Sequence, residues 1–123
     1  MTTPKKPSRT LQLAAAYNLL WGTVVVLLPE HSFQWAGFDE PARYPQLWQC
    51  IGMIVGVYGI GYGIAAYDYV RRWPIVLVGL LGKIFGPIGF LQAAIAGDLP
   101  WTMFRCTLFN DLIWWIPFSL ILC

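Results

Sequence analysis

Residues 79–90, GLLGKIFGPIGF, decide the fold of this chain. They lie within a long apolar run, yet they include a lysine, Lys83, a proline, Pro87, and four glycines. A charged side chain inside a membrane segment is costly and needs a compensating partner. The best placed partner is Asp111, which lies in the next apolar run. We therefore predict a small helical membrane protein in which Lys83 and Asp111 form a buried ion pair.

The composition also indicates a membrane protein. Of the 123 residues, 58% are hydrophobic and 11% are charged, whereas soluble domains are about 25% charged. The net charge of +2 is small, and the basic residues form no single patch, so we exclude nucleic acid as a partner. Cys50, Cys106 and Cys123 lack metal-ligand spacing, and we predict no metal site. A Cys50–Cys106 disulfide in an oxidising envelope is left open.

Four apolar runs predict an all-α membrane protein, an antiparallel bundle of four transmembrane helices. The runs cover 11–28, 47–66, 73–96 and 101–122, and a crossing takes roughly 17–25 residues. Residues 1–10 form a polar tail, so 11–123 make a single transmembrane domain. The loop at 29–46 is rich in aromatic residues, which favour the headgroup level. We expect it to lie along the interface with one short helical turn, as an anchor or as a lid over an outer cavity.

The distribution of Lys and Arg predicts the orientation. Short cytoplasmic loops carry the excess of positive charge. The loop at 29–46 holds one such residue, Arg43, and 97–100 holds none. The tail and the loop at 67–72 hold Lys5, Lys6, Arg9, Arg71 and Arg72. Both termini, including the tail at 1–10, are therefore predicted to be cytoplasmic.

Glycines recur along one face of the second and third predicted helices. Small residues at such spacing let membrane helices approach closely. We expect the two faces to pack against each other, against a second copy of the chain, or against another membrane protein, with the lipid bilayer as the surrounding partner. The glycines are Gly52, Gly56, Gly59 and Gly63 in the second helix, and Gly79, Gly82, Gly86 and Gly89 in the third.

The two charged residues are predicted to lie at the same depth. Lys83 follows Trp73 by ten residues, and Asp111 follows Trp101 by ten. At 1.5 Å per residue, each lies about 15 Å from its end of the membrane, near the middle of a hydrocarbon core of about 30 Å. The pair can line a polar cavity, or it can only fix the register of the two helices; the sequence leaves both alternatives open.

Around this pair we predict a ligand-binding site. Thr107, Asp111 and Trp114 follow the i, i+4, i+7 spacing of one helix face. Arg105 and Gln92 share a level near the outer surface, and Arg105 can snorkel toward acidic groups there. No catalytic motif is present, so we assign no catalytic residue. The predicted binding residues are Lys83, Asp111, Asn110, Thr107, Trp114, Arg105, Gln92 and Tyr58.

Four motifs are similar to those of a known group of proteins. They are GMIVGVYGIGYGIAAYD at 52–68, RRWP at 71–74, GLLGKIFGPIGF at 79–90 and NDLIWWIPF at 110–118. Together they resemble the DoxX-like small four-helix membrane proteins of bacteria. The resemblance implies a bundle in the bacterial inner membrane and a link to redox or quinone chemistry. It carries over no catalytic residue.

Three functions are consistent with these features. The first is a non-enzymatic accessory protein, or a protein that binds a small ligand or lipid at the buried charges. The second is a small transporter or proton-coupled carrier. The third is a subunit of a membrane oxidoreductase with quinone as its cofactor. A carrier needs water to reach the charged pair from each side in turn, and the quinone reading requires a co-purifying quinone.

Overall fold

The computed structural model describes residues 6–123, and this part of the chain is helical and contains no β-strand. The predicted tail residues 1–5, with Lys5, lie outside the described part. Two 3-10 turns are present in the last part of the chain. Trp101–Met103 precedes the last two helices, and Leu112–Trp114 joins them. The helices are α1 (Arg9–Leu27), α2 (Pro29–Trp35), α3 (Pro45–Ala66), α4 (Trp73–Ile95), α5 (Phe104–Asn110) and α6 (Trp115–Leu122).

Three of the helices are long and apolar enough to cross a membrane, by length and composition. They are α1, α3 and α4, with 19, 22 and 23 residues. Ser8 caps α1, and its hydroxyl accepts a hydrogen bond from the Leu11 amide at 3.2 Å. Pro45 and Pro74 lie in the first turns of α3 and α4, where a missing N–H costs little. The predicted all-α fold is confirmed for residues 6–123, with three helices that could cross a membrane.

The prediction of one continuous helix over 101–122 is wrong. The backbone leaves helical geometry at Asp111, with φ −124° and ψ −60°, and the segment divides into α5 and α6 with 3-10 turns before and between them. Asn and Asp side chains compete with helical hydrogen bonding, and here Asn110 Nδ2 donates to Asp111 Oδ1 at 3.2 Å. Neither α5, with seven residues, nor α6, with eight, is long enough to cross a bilayer alone.

The broken segment runs antiparallel to α4. At one end the rings of Phe90 and Trp101 lie 6.2 Å apart. At the other end, residues near the C-terminus, including Pro117 and Cys123, line a cavity together with Trp73, the first residue of α4. Between these ends Phe118 is fully buried and its ring lies 5.2 Å from that of Tyr62 on α3. The segment therefore contacts the core of the molecule through Phe118.

The glycine faces do not pack against each other. Those of α3 contact α1, and a methyl group placed on Gly59 would lie 3.0 Å from the Leu19 amide nitrogen. On α4, Gly79 lies against the ring of Tyr62 and Gly86 lies against Asp111, whereas Gly82 has nothing within 4 Å. Gly79 and Gly86 of α4 thus make room for a tyrosine of α3 and a carboxylate of the broken segment.

Candidate functional site

Lys83 is buried at the break in the fourth segment. Its side chain is on α4 and the residue is only 4% exposed. The ammonium nitrogen Nζ donates a hydrogen bond to the backbone carbonyl oxygen of Asn110 at 2.8 Å. Asn110 is the last residue of α5, so this carbonyl has lost its partner in the following helical turn. A cation at a helix C-terminus is also favoured by the direction of the peptide dipoles.

Three aromatic rings surround the ammonium group. Lys83 Nζ lies 5.7 Å from the ring centroid of Tyr62, 5.8 Å from that of Trp114 and 5.6 Å from that of Phe118. A cation within about 6 Å of an aromatic face is attracted by the ring quadrupole, and the attraction is larger where water is excluded. The rings therefore replace part of the hydration that the lysine loses on burial.

The predicted ion pair between Lys83 and Asp111 does not form. Within residues 6–123 the one ion pair closer than 4.0 Å joins Arg71 and Asp68, at 3.9 Å. The reason is the break itself, which the sequence analysis did not predict. A continuous helix would have no free carbonyl at Asn110, whereas the broken helix presents one to the ammonium group.

Two tryptophans pair the other carbonyls that the local backbone leaves free. Pro87 has no N–H, so the Lys83 carbonyl on the preceding turn of α4 loses its helical donor. The indole N–H of Trp115 donates to that carbonyl at 2.7 Å, and α4 continues through Pro87 to Ile95. The indole N–H of Trp114 donates to the Phe109 carbonyl at 3.0 Å. Because Trp115 donates to α4 and Lys83 of α4 donates to the broken segment, each stabilises the irregularity of the other.

Asp111 has an oxygen that the protein leaves free. Its Oδ1 accepts from Asn110 Nδ2, while its Oδ2 faces Gly86, where an added methyl group would lie 2.8 Å away. No donor within the described residues bonds Oδ2. The side-chain oxygen Oδ1 of Asn110 is buried and also has no partner there. The break thus contains two oxygen acceptors without a donor among the described residues, and the Asp111 carboxylate can bind a donor group or hold a proton.

The structure brings together part of the predicted site. Lys83, Asn110, Asp111 and Trp114 meet at the break, as the preceding contacts show. Thr107 is buried on α5 beside them, and its backbone carbonyl accepts a hydrogen bond from the Asp111 N–H at 3.0 Å. Its hydroxyl is directed to the Met103 carbonyl at 3.4 Å. These five residues form the candidate site.

The other three predicted residues lie elsewhere. Tyr58 is 38% exposed and reaches the site only through Tyr62, at 6.2 Å between ring centroids. Gln92 is exposed near the end of α4, and its side chain makes no hydrogen bond within residues 6–123. Arg105 lines a separate cavity with Tyr17. The predicted snorkelling of Arg105 toward Asp98 gives no ion pair in the described part of the chain.

Sequence reasoning missed three residues of the site. Trp115 had a usable signal, because Pro87 predicts a free carbonyl at Lys83, and an indole on the facing segment is a suitable donor. Tyr62 and Phe118 had no such signal, since their contact with Lys83 depends on how α3 and α6 are placed around α4. Both are nearly or fully buried, at 2% and 0% exposure.

The cysteines and acidic residues define no further centre. In residues 6–123 no group of three His, Cys, Asp or Glu side chains could hold a metal ion. Cys50, Cys106 and Cys123 are free thiols, so the disulfide that the sequence left open is absent from this structure. Comparisons with protein-family models, curated proteins and solved structures gave no match. The function must therefore be argued from the geometry of the chain itself.

Proposed function

We propose that this chain is a non-enzymatic membrane protein that binds a small donor-bearing ligand at the break in its fourth segment. The observation that carries the proposal is the Asp111 carboxylate, whose Oδ2 has no protein donor within the described residues while lying beside a buried Lys83. Irregular backbone at membrane depth is tolerated where it is buried in protein or lines a cavity, and polar residues there are functional by default.

The chemistry of the free groups selects the ligand class. The Lys83 ammonium group is already engaged by the Asn110 carbonyl and three aromatic rings, so an anionic ligand has no free cation to bind. The acceptors without a donor among the described residues are Asp111 Oδ2 and the buried Asn110 Oδ1. A hydroxyl or ammonium group of a small amphipathic molecule would donate to Asp111 Oδ2. Trp114 supplies an aromatic surface for its apolar part.

The membrane placement belongs to the same proposal. We infer four crossings, with 101–122 as the fourth, because that segment follows α4 in the opposite direction and α1, α3 and α4 have the length of spans. The Lys and Arg distribution supports cytoplasmic termini. The resemblance to DoxX-like proteins supports the bacterial inner membrane.

Native mass spectrometry with analysis of co-purified small molecules tests the proposal. We expect a stoichiometric ligand on the detergent-purified protein that is lost from Asp111→Asn. Asp98→Asn is the matched control, because Asp98 is an exposed carboxylate in the turn after α4. An empty, folded wild-type protein, or equal retention by both variants, would refute a site at Asp111.

The helix break favours a carrier as the second candidate. Discontinuous helices near the bilayer midplane form the substrate and ion sites of many transporters, and Asp111 lies at such a break. This candidate predicts proton or solute flux in proteoliposomes that Asp111→Asn abolishes and Asp98→Asn preserves. Flux equal to that of empty vesicles would refute the carrier and leave the proposal of a binding protein. The quinone alternative has its own readout, a co-purified quinone that Asp111→Asn releases.

A further inference from the structure

A cavity of about 330 Å³ lies between α1, the end of α2 and α5. Its wall includes Tyr17 and Trp21 from α1, Trp35 from α2, and Arg105 and Phe109 from α5. None of the residues that hold Lys83 at the break lines it. The volume is within the range of small-molecule pockets, about 300–1,000 Å³, so the cavity is a separate place where a ligand fits.

The wall of the cavity is mainly apolar, and Arg105 is the one charged residue that lines it. Arg105 is exposed and forms no ion pair within residues 6–123. The indole N–H groups of Trp21 and Trp35 form no hydrogen bond in that part of the chain either. Elsewhere the indoles packed in the interior are paired: Trp48 donates to Ser32 at 2.9 Å, and Trp114 and Trp115 donate to backbone carbonyls. An apolar wall with one unpaired cation fits a ligand that has an apolar chain and a negatively charged group.

Depth narrows the choice of ligand. Arg105 follows Trp101, at the outer end of the segment, by four residues. At 1.5 Å per residue it is about 6 Å below that end, and its long side chain can reach the headgroup level. Tryptophans favour the same level. The anion that is abundant at this depth is the phosphate of a phospholipid, which also brings an apolar chain for the ring surfaces of Tyr17 and Phe109.

We propose that this cavity binds one anionic phospholipid. The guanidinium of Arg105 binds the phosphate, since Arg presents paired donors that match phosphate oxygens. The indole N–H groups of Trp21 and Trp35 donate to the remaining headgroup oxygens. The start of an acyl chain lies along Tyr17 and Phe109. This inference rests on the proposed membrane placement but not on the proposed ligand site at Asp111, because none of the five residues of that site lines the cavity.

Lipid titration by native mass spectrometry tests the site. The delipidated protein is titrated with phosphatidylglycerol, which carries a net negative charge, and in parallel with phosphatidylcholine, whose net charge is zero. We expect one phosphatidylglycerol to bind about tenfold more tightly than phosphatidylcholine, because both lipids carry a phosphate but the choline cation offsets its negative charge at Arg105. Arg105→Gln should abolish this preference. Arg71→Gln should keep it, because Arg71 pairs with Asp68 in a different turn.

A milder variant and a competitor complete the test. Trp35→Phe removes the indole N–H but keeps an aromatic ring on a residue that is 57% exposed, and it should weaken phosphatidylglycerol binding several-fold without changing thermal stability. Equal binding of the two lipids, or an unchanged preference in Arg105→Gln, would overturn the proposal. Displacement of the lipid by inorganic phosphate alone would also overturn it, since the site would then bind a free anion.

Discussion

The hydrogen bond from Trp115 to the Lys83 carbonyl should depend on Pro87. In the native chain Pro87 supplies no N–H, and the Trp115 indole is the donor to this carbonyl, at 2.7 Å. Trp115→Phe removes the donor and leaves the carbonyl without a partner. In a Pro87→Ala background, the alanine N–H would bond the Lys83 carbonyl within α4. The same Trp115→Phe change should then cost less.

The cost of Trp115→Phe in unfolding free energy is compared between the native and the Pro87→Ala backgrounds. The difference between the two costs is the coupling free energy, which isolates the hydrogen bond. Leaving a buried acceptor unpaired costs about 1–3 kcal/mol in proteins, while hydrogen bonds between membrane helices measure about 0.6 and at most about 1.7 kcal/mol. We expect a coupling free energy of about 1 kcal/mol, a factor of about five in the unfolding equilibrium. The smaller ring of phenylalanine loses packing in both backgrounds, so that loss cancels in the cycle.

The assay is a double-mutant cycle on the free energy of unfolding. The four proteins are the wild type, Trp115→Phe, Pro87→Ala and the double variant, each unfolded by titration with SDS in mixed micelles. A coupling near zero, with Trp115→Phe equally costly in both backgrounds, would refute the reasoning. Trp115 would then stabilise the protein by packing alone.

Two further predictions follow from the packing. Gly59→Leu should lower the melting temperature strongly, because α1 lies against that position. Gly82→Leu should be tolerated, because nothing lies within 4 Å of a side chain placed there. Comparable melting temperatures of the two variants would place both faces toward lipid. Lys83→Met should lower the free energy of unfolding by about 1.5–3 kcal/mol, the usual worth of a hydrogen bond to a charged group. Arg71→Met, on a residue with a 71% exposed side chain, should change it by less than about 1 kcal/mol.

The long helices could be predicted from the sequence because membrane spans are set by local properties. Apolar length, proline in the first turn and polar turns between runs are all visible without knowing the neighbours. The carbonyl that Pro87 leaves without a helical donor is a local property too, and the structure supplies its partner, Trp115. Its identity depended on the approach of another segment.

The break at Asp111 could not be predicted from the apolar pattern. Residues 101–122 contain no glycine, and their one proline, Pro117, lies beyond the break. The pair Asn110–Asp111 lowers helix propensity only slightly. What makes the break stable is tertiary: Lys83 and Trp114 pair the carbonyls of Asn110 and Phe109. The same contacts explain why the predicted ion pair was wrong. Depth counting placed Lys83 near Asp111 but could not choose between the carboxylate and the carbonyl one residue earlier.

The central claim is that Lys83 bonds the Asn110 carbonyl and not the Asp111 carboxylate. Solid-state NMR in lipid bilayers measures this directly by rotational-echo dipolar recoupling between ¹⁵Nζ-lysine and ¹³C-labelled carbonyls. The labels are selective, since the chain has two asparagines, Asn18 and Asn110, and Lys83 is the one lysine within the apolar runs. We predict strong dephasing of the Asn110 carbonyl signal, in keeping with the 2.8 Å bond, and its loss in Lys83→Met. Strong dephasing of an aspartate carboxylate carbon instead, with none at Asn110, would contradict the account and restore the ion pair.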